Sequence, residues 1–475
     1  MSHRQPERRQ GLLFPQSIEE YIAADDPVRA YDAFVEALDL AALEIGSDPE
    51  QPGCPAYDPK TMLKILVYGY SYGIRSSRKL ERALHHNLSF LWLAGGLKPD
   101  FKTIARFRRQ YRAALKKVLK HCARLCIELD LVAGNTLFVD GTKIRANASL
   151  DQTRTADDCR EQLEQIDRRI EALLDQCQQV DTEEADEDSL VHLKAELAEH
   201  QRRQAKIQAA VKTLAAERSK KVNVTDPDCG VMRSRQGTHA AYNGQIVVDD
   251  RHGLIVQADV VNDNHDRKQF TEQITSAQET TGQRPNVASA DSGYYSGQEL
   301  ETMVATADQV LVPVRGQVHR HQAKPFAKSR FTYLADEDVY VCPAEQRLTY
   351  RRTCEKRRYR EYQLDGPTCC ACRHYAQCTS GRNGRKVIRY LNEGVRDDLR
   401  RAFEQPSWQA VYARRKEKVE LPFGHIKRNL GAGHFLLRGL TGVRAEMSLL
   451  ASSFNVARLI GLFGVRGLVT RLAAM

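Results

Sequence analysis

Hydrophobic residues recur at helical spacing through the first 130 residues. In residues 59–73, apolar side chains at positions 62, 63, 66, 67 and 70 follow a proline suited to a first turn, which predicts a helix. Residues 76–87 begin at a serine cap and carry a basic face. Residues 100–129 begin at Asp100 and set an apolar stripe opposite a side with nine Lys or Arg residues. These patterns predict a helical N-terminal domain over residues 1–130.

The pattern changes to β-rich segments near residue 135. Strands are predicted at 135–149, at 241–264 (two strands joined by a turn at 250–253), at 284–296 and at 309–315. Helices are predicted at 267–282 and 296–308. Strands that first pair as a hairpin and then alternate with helices predict an α/β fold, a mixed sheet covered by helices. We assign this core to residues 131–150, 222–316 and 386–475, the last part ending in C-terminal helices.

Two insertions interrupt the predicted core. Residues 151–221 contain two heptad-like apolar series around an acidic, turn-like segment at 178–189, which predicts an antiparallel helical hairpin with coiled-coil character. The hairpin is either a dimer arm or a self-contained protrusion. Residues 317–385 are basic and cysteine-rich, and we expect them to be irregular.

Positive charge is concentrated in two blocks. The chain carries a formal charge of +10. Residues 71–130 hold 14 Lys and Arg against 4 Asp and Glu, and residues 401–475 hold 12 against 4, whereas residues 151–200 hold 5 against 16. Such segregation favours a nucleic-acid partner over two merely solvated helical faces. The N-terminus lacks an apolar signal segment and no run of about 18 apolar residues occurs, so we expect a cytoplasmic, nucleoid-associated protein without a membrane span.

Carboxylates at predicted strand ends are candidates for a divalent-metal site. Asp140 follows the apolar run TLFV, and Asp291 follows NVASA. Strand ends in open α/β sheets carry ligand-binding groups, and paired carboxylates suit two metal ions acting on a phosphodiester. Glu420 is the candidate third ligand, with Glu417 as its competitor, and an unbroken helix would place Glu420 on one face with Lys427. Pro422 lies between them and is expected to kink or restart that helix.

Six of the twelve cysteines lie between residues 342 and 378. Cys369 and Cys372 form a C-x2-C pair, and Cys378 with the distant Cys342 would complete a four-thiolate zinc site. Cys354 and Cys370 are spare in this interpretation. The alternative is a set of unligated thiols. If zinc binds, its role is structural, because an irregular segment with few apolar residues needs an additional cross-link.

The chain resembles bacterial insertion-sequence transposases of the acid-triad (DDE) type, in the group with a tyrosine–arginine–glutamate–lysine signature. The matching segments lie in the family's order and span most of the chain: YGYSYGIRSSRKLERALHHNLSFLWLAG (68–95), PDFKTIARFR (99–108), FVDGTKIRANAS (138–149), THAAYNGQIVVDD (238–250), ASADSGYYS (288–296), VPVRG (312–316), Y…R…E…FG.IK (412–427) and FLLRGL (435–440).

The resemblance implies a ribonuclease H-like core and a magnesium- or manganese-dependent enzyme. It implies that Asp140, Asp291 and Glu420 form the metal-binding catalytic triad and that Lys427 contacts DNA. Tyr412 and Arg415 match the remaining signature positions. Arg415 lies five residues before Glu420, one more than usual, and Lys416 occupies the usual register.

The implied reaction is cleavage at the transposon ends followed by joining of the new 3′-hydroxyls to target DNA. The implied partners are double-stranded DNA, as terminal inverted repeats and target, and further copies of the chain in a dimer or larger complex. Within the basic helix of the N-terminal domain we expect Arg106, Arg108 and Arg109 to contact DNA. Two alternatives stay open: a domesticated endonuclease without strand transfer, and a catalytically silent DNA-binding protein.

Overall fold

The computed structural model describes residues 17–46, 56–182, 187–217, 220–234, 236–297, 299–314 and 325–475. Three sequence-based predictions fall partly outside these residues. They are the acidic turn at 178–189, the segment 312–316, and the first part of the cysteine-rich insertion.

Six helices form the N-terminal region: α1 Pro27–Glu36, α2 Pro59–Ser71, α3 Ser77–His86, α4 Leu88–Leu93, α5 Phe101–Gln110 and α6 Arg112–Glu128. Aspartates begin three of them. The side chains of Asp26, Asp58 and Asp100 accept backbone N–H bonds from Val28, Thr61 and Thr103, which satisfies otherwise unpaired first-turn donors. The helices predicted at 59–73 and 76–87 are confirmed.

The single helix predicted at 100–129 is instead two helices that meet at Tyr111. Tyr111 leaves helical geometry, with φ −99° and ψ 26°. Its ring packs on Phe107 with the centroids 4.8 Å apart, and its hydroxyl donates to the carbonyl oxygen of Gly46. This tertiary anchoring overrides a pattern that favours one continuous helix.

The middle of the chain alternates strands and helices: β1 Thr136–Arg145, β2 Thr153–Arg154, α7 Ala156–Thr182, α8 Glu187–Glu217, β3 Val222–Asn223, β4 Gly230–Ser234, β5 Gly237–Asp249, β6 Ile255–Val261, α9 Gln269–Thr281, β7 Val287–Ser289, α10 Leu300–Val304 and β8 Gln309–Leu311. The helix predicted at 267–282 is confirmed and ends at Gly282 with φ 73°, a conformation that glycine adopts without strain.

A six-stranded mixed sheet lies at the centre of the molecule. Its strand order is β4-β5-β1-β7-β8, with β6 also pairing with β5. The β5 pairings are antiparallel, whereas β7 is parallel to both β1 and β8. The predicted α/β class, with a mixed sheet flanked by helices, is confirmed. One hydrophobic core joins this sheet to the N-terminal helices and to the last helix of the chain.

Helices α7 and α8, which lie between β1 and β4 in the sequence, pack on each other. Their shared cluster includes Cys159, Ile166, Ile207 and Leu214. The two short strands β2 and β3 pair antiparallel at the base of these helices. The cluster is separate from the main core, so α7 and α8 are held largely by their own apolar contacts.

A second sheet follows where an irregular segment was expected. Its elements are β9 Thr332–Leu334, β10 Val339–Val341, β11 Arg347–Cys354, β12 Tyr359–Gln363, α11 Gly366–Cys370, α12 Tyr375–Cys378 and β13 Lys386–Tyr390. The five strands are antiparallel in the order β13-β12-β11-β10-β9. The expectation was wrong because four of the five strands have only three to five residues and the longest, β11, is largely exposed, whereas four of the five β12 residues are buried, so neither β11 nor β12 shows the two-residue alternation of a strand.

The chain ends in three helices, α13 Glu393–Glu404, α14 Pro406–Gly424 and α15 Leu440–Ala473, with a π-helical turn at His425–Asn429. Helix α15 is long and apolar enough to cross a membrane by length and composition, but 61% of its most apolar window is buried inside the protein. It packs on α1, α2, α6 and β6, as a core helix does.

A buried ion pair joins the N-terminal helices to α15. Arg75 precedes α3, and its guanidinium lies 2.6 Å from the carboxylate of Glu446, with side chains 4% and 0% exposed. Arg75 also donates to the carbonyl oxygens of His434 and Gly431, at 2.9 and 2.7 Å. Glu446 accepts the backbone N–H groups of Leu436 and Leu437. Both charges are therefore neutralised and hydrogen-bonded away from water.

Replacing Glu446 by glutamine (E446Q) leaves the Arg75 charge buried without a counter-ion. We expect the free energy of unfolding to fall by about 3–5 kcal/mol, the usual cost of breaking a buried ion pair. Denaturant unfolding followed by circular dichroism measures this change. The matched control is Lys117→Gln, which removes an exposed ion pair with Glu44 and should cost no more than about 1 kcal/mol. Equal losses in the two variants would contradict the role given to Glu446.

Candidate active site

Asp140 and Asp291 lie side by side on adjacent strands of the central sheet. The prediction of a strand end was wrong for Asp140, which lies in the middle of β1 because its pairing with β5 continues to Arg145, whereas Asp291 follows β7 by two residues. In the parallel pairing of β1 and β7, Phe138 is opposite Ser289. Each aspartate follows its paired residue by two positions, so the register sets the two carboxylates next to each other. Asp291 is held in a tight turn, because its Oδ1 accepts the backbone N–H of Gly293 at 2.7 Å.

Burial and neighbouring carboxylates raise the pKa of Asp140 above that of an ordinary aspartate. Its side chain is 21% exposed. Burial is the largest influence and raises the pKa of Asp140 to about 6, with smaller upward contributions from Asp291 and Asp266. The positive charge of Arg415 and the backbone N–H of Gly141 act in the opposite direction. At neutral pH the site therefore concentrates negative charge that a cation would stabilise.

Asp266 is a third carboxylate near this pair, and sequence analysis did not single it out. It lies in the loop between β6 and α9, and its Oδ1 accepts bonds from Asn243 at 2.6 Å and Gln245 at 2.8 Å. The Lys143 ammonium lies 3.7 Å away. Polar Asn243 and Gln245 in the otherwise buried, apolar strand β5 were the sequence signal that could have found it.

Gly141 is required by the close packing beside Asp140. A Cβ atom at this position would lie 2.9 Å from both the Asp266 carboxylate and the Tyr294 hydroxyl, and would overlap the Gln245 side chain. The Tyr294 hydroxyl in turn donates to Gln245. A buried hydrogen-bonded network therefore backs the carboxylates and holds them in place.

Arg415 is the signature residue that faces the carboxylates. Its guanidinium lies 3.8 Å from Asp140, and its side chain is 12% exposed. Two of its nitrogens, Nε and Nη1, have no hydrogen-bond partner among the described residues. The guanidinium also lies 5.5 Å from the ring of Tyr412. Lys416, which occupies the family's usual register, is 76% exposed and points away.

Glu420 and Lys427 do not share a helix face. The Glu420 side chain is 65% exposed, and its carboxylate lies 4.0 Å from the ammonium of Lys416. The Lys427 ammonium instead reaches β1, where it donates to the Thr142 hydroxyl at 2.5 Å and the Lys143 carbonyl oxygen at 3.2 Å. The same-face expectation was wrong because α14 continues through Pro422 and then widens into the π-helical turn, which changes the angular step.

The described residues contain no group of three His, Cys, Asp or Glu side chains arranged to hold a metal ion. Asp140 and Asp291 are thus brought together, whereas Glu420 is not gathered with them. The donor chemistry nevertheless suits Mg²⁺ or Mn²⁺, since Asp140, Asp291 and Asp266 supply only hard carboxylate oxygens. Asp140 and Asp291 are the residues that would hold such ions.

A groove of about 800 Å³ opens beside Asp291, between the central sheet and the second sheet. It is lined by loops beside the central sheet (Asp266, Arg267 and Gly293), by Arg357 and Tyr390 of the second sheet and its turn, and by Arg396 of α13. The Arg396 guanidinium stacks 3.6 Å from the centroid of the Tyr390 ring. Arginines with aromatic rings suit phosphates and bases of a nucleic acid.

The basic N-terminal helices present an exposed face, but Arg108 is not part of it. Arg106 and Arg109 on α5 are exposed. Arg108 is 7% exposed and donates to the Arg75 carbonyl oxygen and to Ser77, so here its guanidinium is engaged inside the protein. We call the exposed basic residues of α3 and α5 the basic face: Arg78, Lys79, Arg82, Lys102, Arg106 and Arg109.

The four cysteines predicted to bind zinc line one small cavity in the second sheet. Cys342, Cys369, Cys372 and Cys378 all contribute to its wall, and Cys354 and Cys370 do not. All described cysteines are free thiols.

Two family models match the chain. A transposase domain (DUF772) matches residues 16–110, and a transposase DDE domain matches residues 341–460. The two matches support an insertion-sequence transposase of the DDE type. The DDE match includes Tyr412, Arg415, Glu420 and Lys427 of this transposase. Searches of curated proteins and of solved structures found no match.

We expect the Asp140 carboxyl of the free transposase to be half-protonated near pH 6, where an ordinary aspartate titrates near 3.8. Replacing Arg415 by methionine removes the charge that lowers this pKa, so the midpoint should move higher still. Carbon-13 NMR of protein labelled at its aspartate carboxyl carbons measures the Asp140 titration midpoint in the unaltered protein and in the Arg415→Met variant. The signal of Asp140 is assigned as the one that disappears in Asp140→Asn.

The matched control is Arg414→Met on the same helix. Arg414 is 51% exposed and pairs with Asp250 rather than with Asp140. It should leave the Asp140 midpoint unchanged. An Asp140 that titrates near its ordinary value in the unaltered protein would refute the buried environment described above.

Proposed function

We propose that this transposase cleaves the ends of its element and joins them to target DNA by phosphoryl transfer, with Asp140, Asp291 and Glu420 as catalytic carboxylates. The observation that carries the proposal is the β1–β7 register, which sets Asp140 and Asp291 together on adjacent strands of the central sheet. Carboxylates on adjacent strands, Asp140 within β1 and Asp291 just after β7, can together hold ions that act on a phosphodiester.

The strand arrangement supports a ribonuclease H-like core. Along the sheet, β6, β5 and β1 are successive antiparallel strands, and β7 and β8 continue from β1 as parallel ones. In this proposal residues 131–150, 222–316 and 386–475 form the core. Residues 1–130 are a DNA-binding domain, residues 151–221 a helical-hairpin insertion, and residues 317–385 a cysteine-rich insertion.

The aspartates bind the ions, and the network behind them fixes their positions. When bound, two divalent ions activate the attacking oxygen and stabilise the leaving oxygen of an in-line displacement. Asn243 and Gln245 hold Asp266 by hydrogen bonds, while Lys143 and Arg415 offset part of the negative charge. Positioning and charge neutralisation then supply the catalysis, without a covalent protein–DNA intermediate.

Glu420 joins the aspartates only if α14 turns about its axis. Arg415 and Val419 occupy the inward side of this helix, and Glu420 follows Val419 by one residue, a step of about 100°. Pro422 and the π-helical turn break the regular hydrogen-bond ladder directly after Glu420, which makes this the place where the helix can rewind. In this proposal DNA and metal binding favour the turned state.

Double-stranded DNA binds to two surfaces of the chain. Arg106 and Arg109 of the basic face contact phosphates of the terminal repeats, and Lys427, Tyr412 and Arg415 contact DNA beside the scissile phosphate. The groove at Asp291 continues that path with arginines and stacked tyrosines. We propose that the transposase acts in the cytoplasm, as a homodimer or larger assembly on two transposon ends.

We expect D140N, D291N and E420Q each to lower magnesium-dependent cleavage of the transposon end by more than about 100-fold. Losses of this size exceed the roughly 10–100-fold effect of removing a residue that only supports a ligand. The substrate is the element's own flanking DNA, and the cut ends are mapped on sequencing gels. Strand transfer of a pre-cleaved end with a free 3′-hydroxyl is measured in parallel.

Glu417→Gln is the matched control, because Glu417 is an exposed carboxylate on the same helix. It should keep nearly full activity in both assays. If E417Q were inactive and E420Q active, Glu420 would be the wrong residue. Cleavage without strand transfer would establish the endonuclease alternative, and DNA binding without either reaction would establish the silent DNA-binding protein.

A further inference from the structure

The second sheet, formed by β9–β13 with α11 and α12, has a very small hydrophobic core. Among the described residues, from 325 onward in this part of the chain, seven buried residues form it: Phe331, Tyr340, Leu348, Tyr362, Leu364, Cys369 and Val387. This cluster is separate from the main core of the protein. So few buried side chains do not stabilise five short strands by themselves, and small units of this kind commonly depend on a disulfide or a metal ion.

Four cysteines from three separate segments of this sheet line one cavity. Cys342 follows β10, Cys369 and Cys372 lie in and just after α11, and Cys378 ends α12. All four line the same cavity of about 20 Å³, together with apolar side chains such as Leu348 and Leu364. The C-x2-C spacing explains why Cys369 and Cys372 are close together, but it does not explain why Cys342 and Cys378, 36 positions apart in the sequence, line the same cavity.

Two of the four sulfurs accept backbone N–H bonds. The N–H of Gln346 points to Cys342 Sγ at 3.3 Å, and the N–H of Arg385 points to Cys369 Sγ at 3.2 Å. The turn at Cys342 is closed by further bonds between Cys342 and both Gln346 and Glu345. A thiol sulfur is a weak acceptor, whereas N–H groups aimed at sulfur stabilise a thiolate ligand and orient it.

We propose that Cys342, Cys369, Cys372 and Cys378 bind one structural Zn²⁺ ion that cross-links the three segments of the second sheet. The thiols lose their protons on binding, and four thiolates form a tetrahedral site. Among the described residues no such group is already arranged at metal-holding geometry, so the ion draws the sulfurs inward to Zn–S distances of about 2.3 Å.

The zinc ion would act on the active-site groove through the sheet. Arg357, Tyr359, Ile388 and Tyr390 of this sheet line the groove beside Asp291. Losing the cross-link would therefore loosen one wall of the groove, while leaving the carboxylates on β1 and β7 unchanged. The zinc site itself does not depend on the proposed reaction.

The metal content of the full-length protein tests this inference. The protein is purified in zinc-containing buffer and dialysed to remove weakly bound metal. Inductively coupled plasma mass spectrometry should then find about one Zn per chain. Cys342→Ser, Cys369→Ser, Cys372→Ser and Cys378→Ser should each lose most of that zinc. Cys354→Ser and Cys370→Ser are matched controls from the same segment and should retain it.

Cobalt absorption of the unaltered protein provides a second readout that needs no variant to fold. Co²⁺ added to the reduced, metal-free protein should give the intense visible bands of tetrahedral thiolate coordination, and equimolar Zn²⁺ should abolish them. A purified protein without zinc that also gives no such bands would overturn the proposal. Zinc loss in the two control variants as large as in the four others would overturn the assignment of ligands.

Discussion

The buried ion pair between Arg75 and Glu446 sets how the two halves of this transposase are joined. Charges removed from water are tolerated only when they are paired and hydrogen-bonded. Here Arg75 also holds the carbonyl oxygens of Gly431 and His434, and Glu446 holds the N–H groups of Leu436 and Leu437. The segment after Lys427 is thereby fixed to the start of α3. Since α3 carries part of the basic face, that face has a defined position relative to the central sheet.

Charge crowding on the adjacent strands β1 and β7 is the second constraint. Burial and neighbouring carboxylates raise the pKa of Asp140, and Arg415 opposes that rise from the inward side of α14. The arrangement is stable without Glu420, which faces solvent. A bound cation would neutralise Asp140 in place of Arg415, so the attraction that holds the Arg415 guanidinium on the inward side of α14 would weaken. In the proposed mechanism, α14 and its π-helical turn would link the charge state of the site to the position of Glu420.

Local signals predicted the regular parts of the fold, and tertiary contacts decided the rest. Pro59 at a first turn and Asp100 at a helix start act through interactions within a few residues, so the sequence alone revealed these two helix starts. The break at Tyr111 and the burial of Arg108 depend on partners 31 to 65 residues away. Only the fold brings Asp266 near Asp140. The second sheet escaped prediction because its strands are short and neither the exposed β11 nor the buried β12 alternates between apolar and polar residues along its length.

The central claim is that Asp140, Asp291 and Glu420 together hold the ions that act on DNA. A crystal structure of the transposase with a pre-cleaved transposon end and Mn²⁺ tests it most directly, because anomalous scattering locates the manganese. The account predicts manganese peaks about 2 Å from carboxylate oxygens of all three residues, with α14 turned to bring Glu420 inward. Manganese bound by Asp140, Asp291 and Asp266, with Glu420 still in solvent, would contradict it.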